Sequence, residues 1–412
     1  MKITNVELFV LKSEGLYNNP AGAEEPLGPT YMGLVKVSTD AGICGYSDME
    51  TCASVAKACV DAPRWSQEEG MECFDGLASL LIGQNPLEVE RLWYRMYRGS
   101  IYYGRRGVVI QAISAIDIAL WDICGKRYGQ PVHILLGGKW RDKVRAYGST
   151  LFRPTPEAMR EAVRKYIAEG FTAVKFGWGV FGKNSPVNVD STFTSIGDVA
   201  SVRVGAPLPP RSGRRDVKLV EAARQELGED RDLLVDTGWF VERTPKEAIA
   251  VVKSLQPFRP FLVEELLHPE DYDGYRQVAE AVDTPIACGE QEATEWGFQQ
   301  LIERGRVDVL QPDLTRCGGF TVARKIVHMA ERANRLVIPH SWSSDLLTAA
   351  SLHLAAFQRR AEFVEFSTSE GVLSRKLVKE PLRMQNGYLQ VPQGPGLGVE
   401  VNEEVIKRYR VG

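Results

Sequence analysis

Seven residues beyond position 170 are of types that a hydrophobic core does not choose: Lys175, Asp236, Glu264, Glu290, Asp313, His340 and Glu365. Each ends a short apolar run, as in "DLLVD", "FLVEE" and "RLVIPH". From Asp236 onward they follow one another at intervals of 28, 26, 23, 27 and 25 residues, the length of one strand plus one helix. One acid at a strand end is as readily a helix cap as a catalyst. Six in phase are a site. Asp236, Glu264 and Glu290 would repel one another and raise one another's pKa unless a cation lay between them. An all-oxygen set with room for water suits Mg²⁺, with Mn²⁺ as second choice, and the lack of a Cys or His in it disfavours zinc. Asp313 and His340 come on the next two strands, where a carboxylate can orient an imidazole and raise its basicity. A histidine after an apolar run is usually structural when it stands alone. Its place in this series makes His340 a general base or acid.

Those side chains need a scaffold that brings strand ends together. From about residue 143 the strand candidates are "KVRAYGST", "FTAVKFG", "DLLVDTG", "FLVEE", "TPIACGE", "VDVLQPD", "RLVIPH" and "AEFVEFS", separated by amphipathic helical patterns such as "PEAMREAVRKYIAEG" and "FTVARKIVHMAERAN". A doubly wound sheet gives the same alternation, but a count of eight favours an α/β barrel, whose strand C-termini all open on one face. The first part reads differently. Residues 2–12 and 32–49 are antiparallel strands, followed by helices near 66–82, 87–98 and 107–127, a separate α+β lobe. The expected division is 1–128 for that lobe, 129–370 for the barrel and 371–412 for a segment returning to the lobe. Two stretches break the rhythm. Residues 15–31, rich in Pro, Gly and Asn, form a long loop, and residues 183–215 read as a mobile insertion rather than a lid or oligomer contact.

Composition narrows the classes of function. A net charge of −3 and a pI near 6.1 disfavour nucleic acid or an anionic membrane as the main partner. The start "MKITNVELFVLK" alternates like a strand and lacks a signal peptide's pattern, and no apolar run reaches the length of a membrane span. Seven cysteines without CxxC spacing read as free thiols in a reducing cytoplasm.

The strand-end series Asp–Glu–Glu–Asp–His–Glu, together with "GVVIQAISAIDIALWDICGKRYGQPVHILLGG" (107–138), resembles the mandelate racemase subgroup of the enolase superfamily. The resemblance spans nearly the whole chain except 183–215. It implies a (β/α)7β modified TIM barrel with an N-terminal α+β capping domain and a return tail. It also implies Mg²⁺ on Asp236, Glu264 and Glu290, an Asp313–His340 dyad, Lys175 on the substrate carboxylate, and Glu365 stabilising the intermediate by hydrogen bonding. The implied chemistry is removal of a proton α to the carboxylate of a small-molecule substrate, giving an enediolate. A homo-oligomer is expected on the same grounds.

The departures bear on reaction type. The subgroup commonly carries Lys-x-Lys on the second barrel strand; here "VKFGWG" keeps Lys175 and places Gly177 where the second lysine would stand. Residues two apart on a strand share a face, so Gly177 removes a pocket-facing base. With one base, elimination on one face is easier than racemisation. His340 takes the α-proton and then protonates a departing β-hydroxyl, which is dehydration of a sugar acid (aldonate or aldarate) to a 2-keto-3-deoxy acid. The alternatives are a racemase or epimerase using His340 with a partner such as His268, and a catalytically silent barrel. His268 reads as a loop residue, Arg105 and Arg106 as a solvated basic pair, and "CGG" (317–319) as a tight turn rather than a phosphate cradle. Gly238 stands where many relatives have a side-chain amide. The 15–31 loop and "DMETCAS" (48–54) are the segments expected to read the substrate.

Overall fold

The computed structural model describes residues 1–13, 31–65, 73–153, 155–177, 213–238 and 243–411; the side chains of 213–216 are outside this description. The 15–31 loop, apart from Tyr31, and all of the 183–215 segment before residue 213 therefore lie outside the described residues. Three antiparallel strands, β1 (Ile3–Lys12), β2 (Tyr31–Thr39) and β3 (Cys44–Met49), form the N-terminal sheet. The chain then runs through helices Ala53–Asp61, Leu77–Leu81, Val89–Gly99 and Val108–Tyr128. The first of these was not foreseen; its N-cap, Cys52, makes no side-chain capping bond, so the usual start signal is missing. Against the expectation that no apolar run reaches the length of a membrane span, Val108–Tyr128 is long and apolar enough to cross one, but most of it is buried inside the protein. It packs on β3 and against barrel helix Gly319–Arg332.

Eight parallel strands follow: β4 (Lys143–Leu151), β5 (Ala173–Gly177), β6 (Asp232–Asp236), β7 (Leu262–Glu264), β8 (Ile286–Cys288), β9 (Val309–Leu310), β10 (Leu336–Val337) and β11 (Val364–Ser367). Among the described residues seven helices alternate with them, and β11 leads into the tail without an eighth full-length helix, which is the (β/α)7β arrangement. Pairing runs β10-β9-β8-β7-β6-β5-β4-β11, so the last strand docks beside the first barrel strand. No ladder joins β10 to β11 among the described residues; Ser341 N–H instead donates to Glu365 Oε2 (2.7 Å) across that seam. The tail does not go straight back to the N-terminal lobe. Strand β12 (Tyr388–Gln390) first pairs antiparallel with β4. Only afterwards does the chain reach the N-terminal sheet, where Val411 N–H donates to Val10 O (2.9 Å).

The barrel interior is floored by one apolar residue from each strand position: Tyr147, Ala173, Leu234, Leu262, Ala287, Val309, Ile338 and Phe363. Side chains two residues apart on a strand face the same way. Two residues beyond six of these floor positions come Lys175, Asp236, Glu264, Gln311, His340 and Glu365. The polar mouth is thus the next inward-facing layer above a packed floor.

Candidate active site

All seven residues singled out by their spacing are buried at the C-terminal ends of the barrel strands. Lys175 Nζ is 2.5 Å from Glu264 Oε1, 2.9 Å from Glu365 Oε1 and 5.3 Å from the centroid of the Tyr147 ring. Burial pulls this lysine down, but Glu264 and Glu365 outweigh it and hold it above the ordinary lysine range. Gln311 Nε2 donates to the other Glu264 oxygen (2.5 Å). Asp236 accepts from Gly238 N–H at Oδ1 (2.8 Å). Burial raises Asp236 well above the carboxylate range, and Glu264 and Glu290 add to the rise.

His340 Nδ1 stands 2.8 Å from Asp313 Oδ2, and the two residues pair as an isolated parallel bridge. The other oxygen of Asp313 accepts from the N–H and hydroxyl of Thr315, both at 2.7 Å, so this carboxylate is fully committed. Arg316 and His340 hold Asp313 below its usual value despite its burial. With Nδ1–H donating to Asp313, His340 Nε2 faces the mouth, 3.1 Å from Glu290 Oε2 and 4.0 Å from Glu365 Oε2. Burial depresses the imidazole, yet Glu290, Glu365 and Asp313 together push it up to about 9. Glu365 is opposed by burial but driven down to about 2 by Lys175 and His340. In this arrangement Lys175 is the cation that Glu365 faces on that side.

Gly177 faces the mouth as the two-residue period requires. A Cβ there would lie 2.5 Å from Asp236 Oδ2 and 2.8 Å from Asp236 Cβ, so the Asp236 carboxylate occupies the space a side chain would need. His268 is exposed, its Nδ1 accepting from Glu270 N–H (3.3 Å), as a loop residue would. Arg105 and Arg106 are exposed, and Arg106 pairs with Glu270 (3.2 Å). The "CGG" turn is no phosphate cradle. Gly318 N–H donates to Ser114 Oγ (2.8 Å), Gly319 N–H to Leu314 O (3.1 Å), and Trp93 Nε1 to Gly318 O (2.9 Å). A Cβ on Gly319 would run into Asp117, whose Oδ2 accepts from Thr321 N–H (3.0 Å). The turn is where the N-terminal domain docks on the barrel.

Sequence reasoning missed Gln311 and Arg316. The alternation Val309, Gln311, Asp313 along one strand carried the signal for the first. Arg316 Nη2 is 3.4 Å from Glu50 Oε2, and its Nε is 3.8 Å from Asp313 Oδ2.

Among the described residues no three of His, Cys, Asp and Glu converge as a ready-made cation site. Glu264 is drawn onto Lys175 and Gln311, and Glu290 onto His340. The donor set itself fits a hard divalent cation. Asp236, Glu264 and Glu290 offer only oxygen, come from adjacent strand ends and are buried in mutual repulsion, which a cation would relieve.

Residues 27–137 match the mandelate racemase/muconate lactonizing enzyme N-terminal domain, and residues 158–405 match the enolase C-terminal domain-like family. The chain is 31% identical over 394 residues to D-galactarolactone cycloisomerase of Agrobacterium fabrum, covering 92% of this chain and 91% of that one. It is 31% identical over 388 residues to D-galactonate dehydratase of Cronobacter sakazakii, covering 92% and 91%. The crystal structure of 3,6-anhydro-D-galactonate cycloisomerase from Zobellia galactanivorans superposes with a TM-score of 0.81 at 29% identity, with 100% of both chains covered. Matched at both ends and laid out on the same barrel, the chain belongs to the mandelate racemase/muconate lactonizing enzyme group of the enolase superfamily.

Proposed function

We propose that this enzyme dehydrates a sugar acid, an aldonate or aldarate, to a 2-keto-3-deoxy acid with Mg²⁺ held by Asp236, Glu264 and Glu290. The observation that carries the reading is the buried dyad. Asp313, itself fixed by Thr315, fixes His340 Nδ1 and leaves Nε2 as the proton-carrying atom at the mouth. Gly177 leaves β5, which also carries Lys175, without a second base. Dehydratases of gluconate, arabinonate and galactonate among the relatives support the same chemistry.

Bound there, a divalent cation supplies Lewis-acid stabilisation of the charge that builds on the substrate carboxylate. Everything else falls to the chain. Lys175 neutralises the floor of the mouth and offers its Nζ to the substrate carboxylate. His340 Nε2 removes the α-proton. The resulting imidazolium, steadied by Asp313, returns that proton to the β-hydroxyl, which leaves as water; the enol then becomes the 2-keto acid. The dense packing beneath the mouth excludes bulk water, which strengthens these charges.

A second reading rests on the cycloisomerases named above. The same proton abstraction can expel a ring oxygen that stays tethered, giving an isomer rather than loss of water. One experiment separates the two: a library of open-chain sugar acids and their lactones or anhydro forms, assayed for 2-keto product with Mg²⁺. Loss of water in the product mass supports the dehydratase, and unchanged mass the cycloisomerase. Product that persists in His340→Asn would refute both.

A further inference from the structure

The strands that hold the dyad are the shortest in the barrel. β9 and β10 pair over only two residues each, and Asp313 and His340 stand three residues past their ends. On the far side of β10 the ladder stops altogether at the seam with β11. The barrel alone supports this pair weakly.

Support comes from the N-terminal domain. At the end of β3, Asp48 and Glu50 are two residues apart and both reach the barrel mouth. Asp48 Oδ2 accepts from Ser343 Oγ (2.6 Å), three residues after His340. Glu50 Oε2 meets Arg316 Nη2 (3.4 Å), three residues after Asp313. Arg316 passes the contact inward: its Nε is 3.8 Å from Asp313 Oδ2, and its Nη1 donates to the Glu290 carbonyl (3.4 Å). Asp48 is fully buried and, among the described residues, faces no cation within ion-pair distance and leaves Oδ1 without a hydrogen-bond partner. An acid in such surroundings costs stability, so docking alone would be better served by a neutral or apolar side chain.

We propose that Asp48 and Glu50 form a two-point clamp from the N-terminal domain, one point on each of the two loops that carry the dyad, fixing Asp313 and His340 at their 2.8 Å contact. Both are positioning residues that act through Ser343 and Arg316. The inference rests on the reading of His340 as the proton carrier. It adds that the lobe covering the mouth also sets the geometry of the proton transfer, beyond any contact it makes with substrate.

The test uses the full-length protein with Mg²⁺ present and ¹⁵N-labelled histidine. His340→Asn assigns the signal among five histidines. The variants are Asp48→Asn, Glu50→Gln and, from the barrel side, Ser343→Ala. Ser343→Ala removes the same bond with Asp48 left in place, in case Asp48→Asn fails to fold. In Glu50→Gln and in a folded Asp48 or Ser343 variant, the His340 Nδ1 proton should exchange with solvent at least about tenfold faster, with unchanged circular dichroism. Turnover should fall about 10- to 100-fold with KM within about twofold, the pattern of a displaced proton carrier rather than a lost substrate contact. Accelerated exchange without turnover of any sugar acid would leave the clamp standing and remove the dehydratase reading. Unchanged exchange and unchanged turnover in Glu50→Gln and Ser343→Ala, in an enzyme that His340→Asn inactivates, would overturn the clamp.

Discussion

His133 and His353, far apart in sequence, meet with Nδ1 facing Nδ1 at 3.0 Å in a fully buried contact. The hydrogen bonds settle their tautomers. His353 Nε2 is 3.1 Å from Leu397 O, which can only accept, so Nε2 carries the hydrogen and Nδ1 accepts from His133 Nδ1–H. Burial keeps both rings neutral, pushing His133 down to about 4 and His353 down to about 3. An unfolded histidine titrates near 6.5. Between that value and the folded ones the unfolded state binds more protons, so this contribution is complete above about pH 6.5 and is lost as the pH falls toward 4 and 3. At pH 5.0 the gap from 6.5 is about 1.5 pH units, worth about 2 kcal/mol per ring. Burial gives Asp48 and Asp345 values near 6, which shifts stability the opposite way over part of the same range. The informative quantity is therefore a difference between two proteins. His353→Gln keeps a donor for Leu397 O and an acceptor for His133 but does not titrate. Compared by urea unfolding at pH 7.5 and pH 5.0, the variant should be the less stable at pH 7.5, with the gap closing by about 2 kcal/mol at pH 5.0. A gap equal at both values would refute the tautomer assignment and the burial argument together.

The mouth yields three more expectations. His340→Asn should lower turnover by about 10²- to 10⁴-fold with little change in KM, read by steady-state kinetics on any substrate the library returns. Gly177→Ala drives a Cβ into Asp236; overpacking of about 1–3 kcal/mol corresponds to roughly 5- to 150-fold weaker Mn²⁺ binding by calorimetry, and unchanged affinity would show that Asp236 has room to turn. Lys175→Met strips the counter-charge from Glu264 and Glu365 and should cost about 3–5 kcal/mol, seen as a clear drop in melting temperature.

The barrel was legible because its physics is local. Each strand is an apolar run that alternates inward and outward, and the residue two places past a floor position has to face the mouth. That rule places Lys175, Asp236, Glu264, His340 and Glu365 without any tertiary knowledge. Glu290 stands three residues past Ala287, with Gly289 at a φ of 129° between them, so a strict two-residue count would have missed it. What stayed hidden depends on partners distant in the chain. Arg316 lies in a turn whose glycines drew attention first, and its meaning depends on Glu50, 266 residues away. The His133–His353 contact has no local signature, and the route of the tail by way of β4 depends on a strand edge that a one-dimensional pattern does not reveal. Both the ionisation of Glu365 and the packing of Asp236 over Gly177 are properties of charges and volumes brought together only by closure of the barrel.

That closure also bears on why a cation belongs here. Asp236, Glu264, Glu290, Asp313 and Glu365 share the mouth with two fixed cations, Lys175 and Arg316, and with His340, which Glu290, Glu365 and Asp313 push up and which must be neutral to take a proton. Ionised together, the five acids would exceed the two fixed cations by three before Glu50 is counted. The excess is uneven: Glu365 is satisfied by Lys175 and driven down, Asp313 is satisfied by Thr315, Arg316 and His340 and also driven down, and Asp236 is left to carry the repulsion and is driven up. A surplus concentrated on one end of an adjacent-strand triad is what a divalent ion, rather than another lysine, would neutralise. Adding a lysine at Gly177 would compete for the space Asp236 occupies, so in this chain the missing base and the position of Asp236 are two sides of one arrangement.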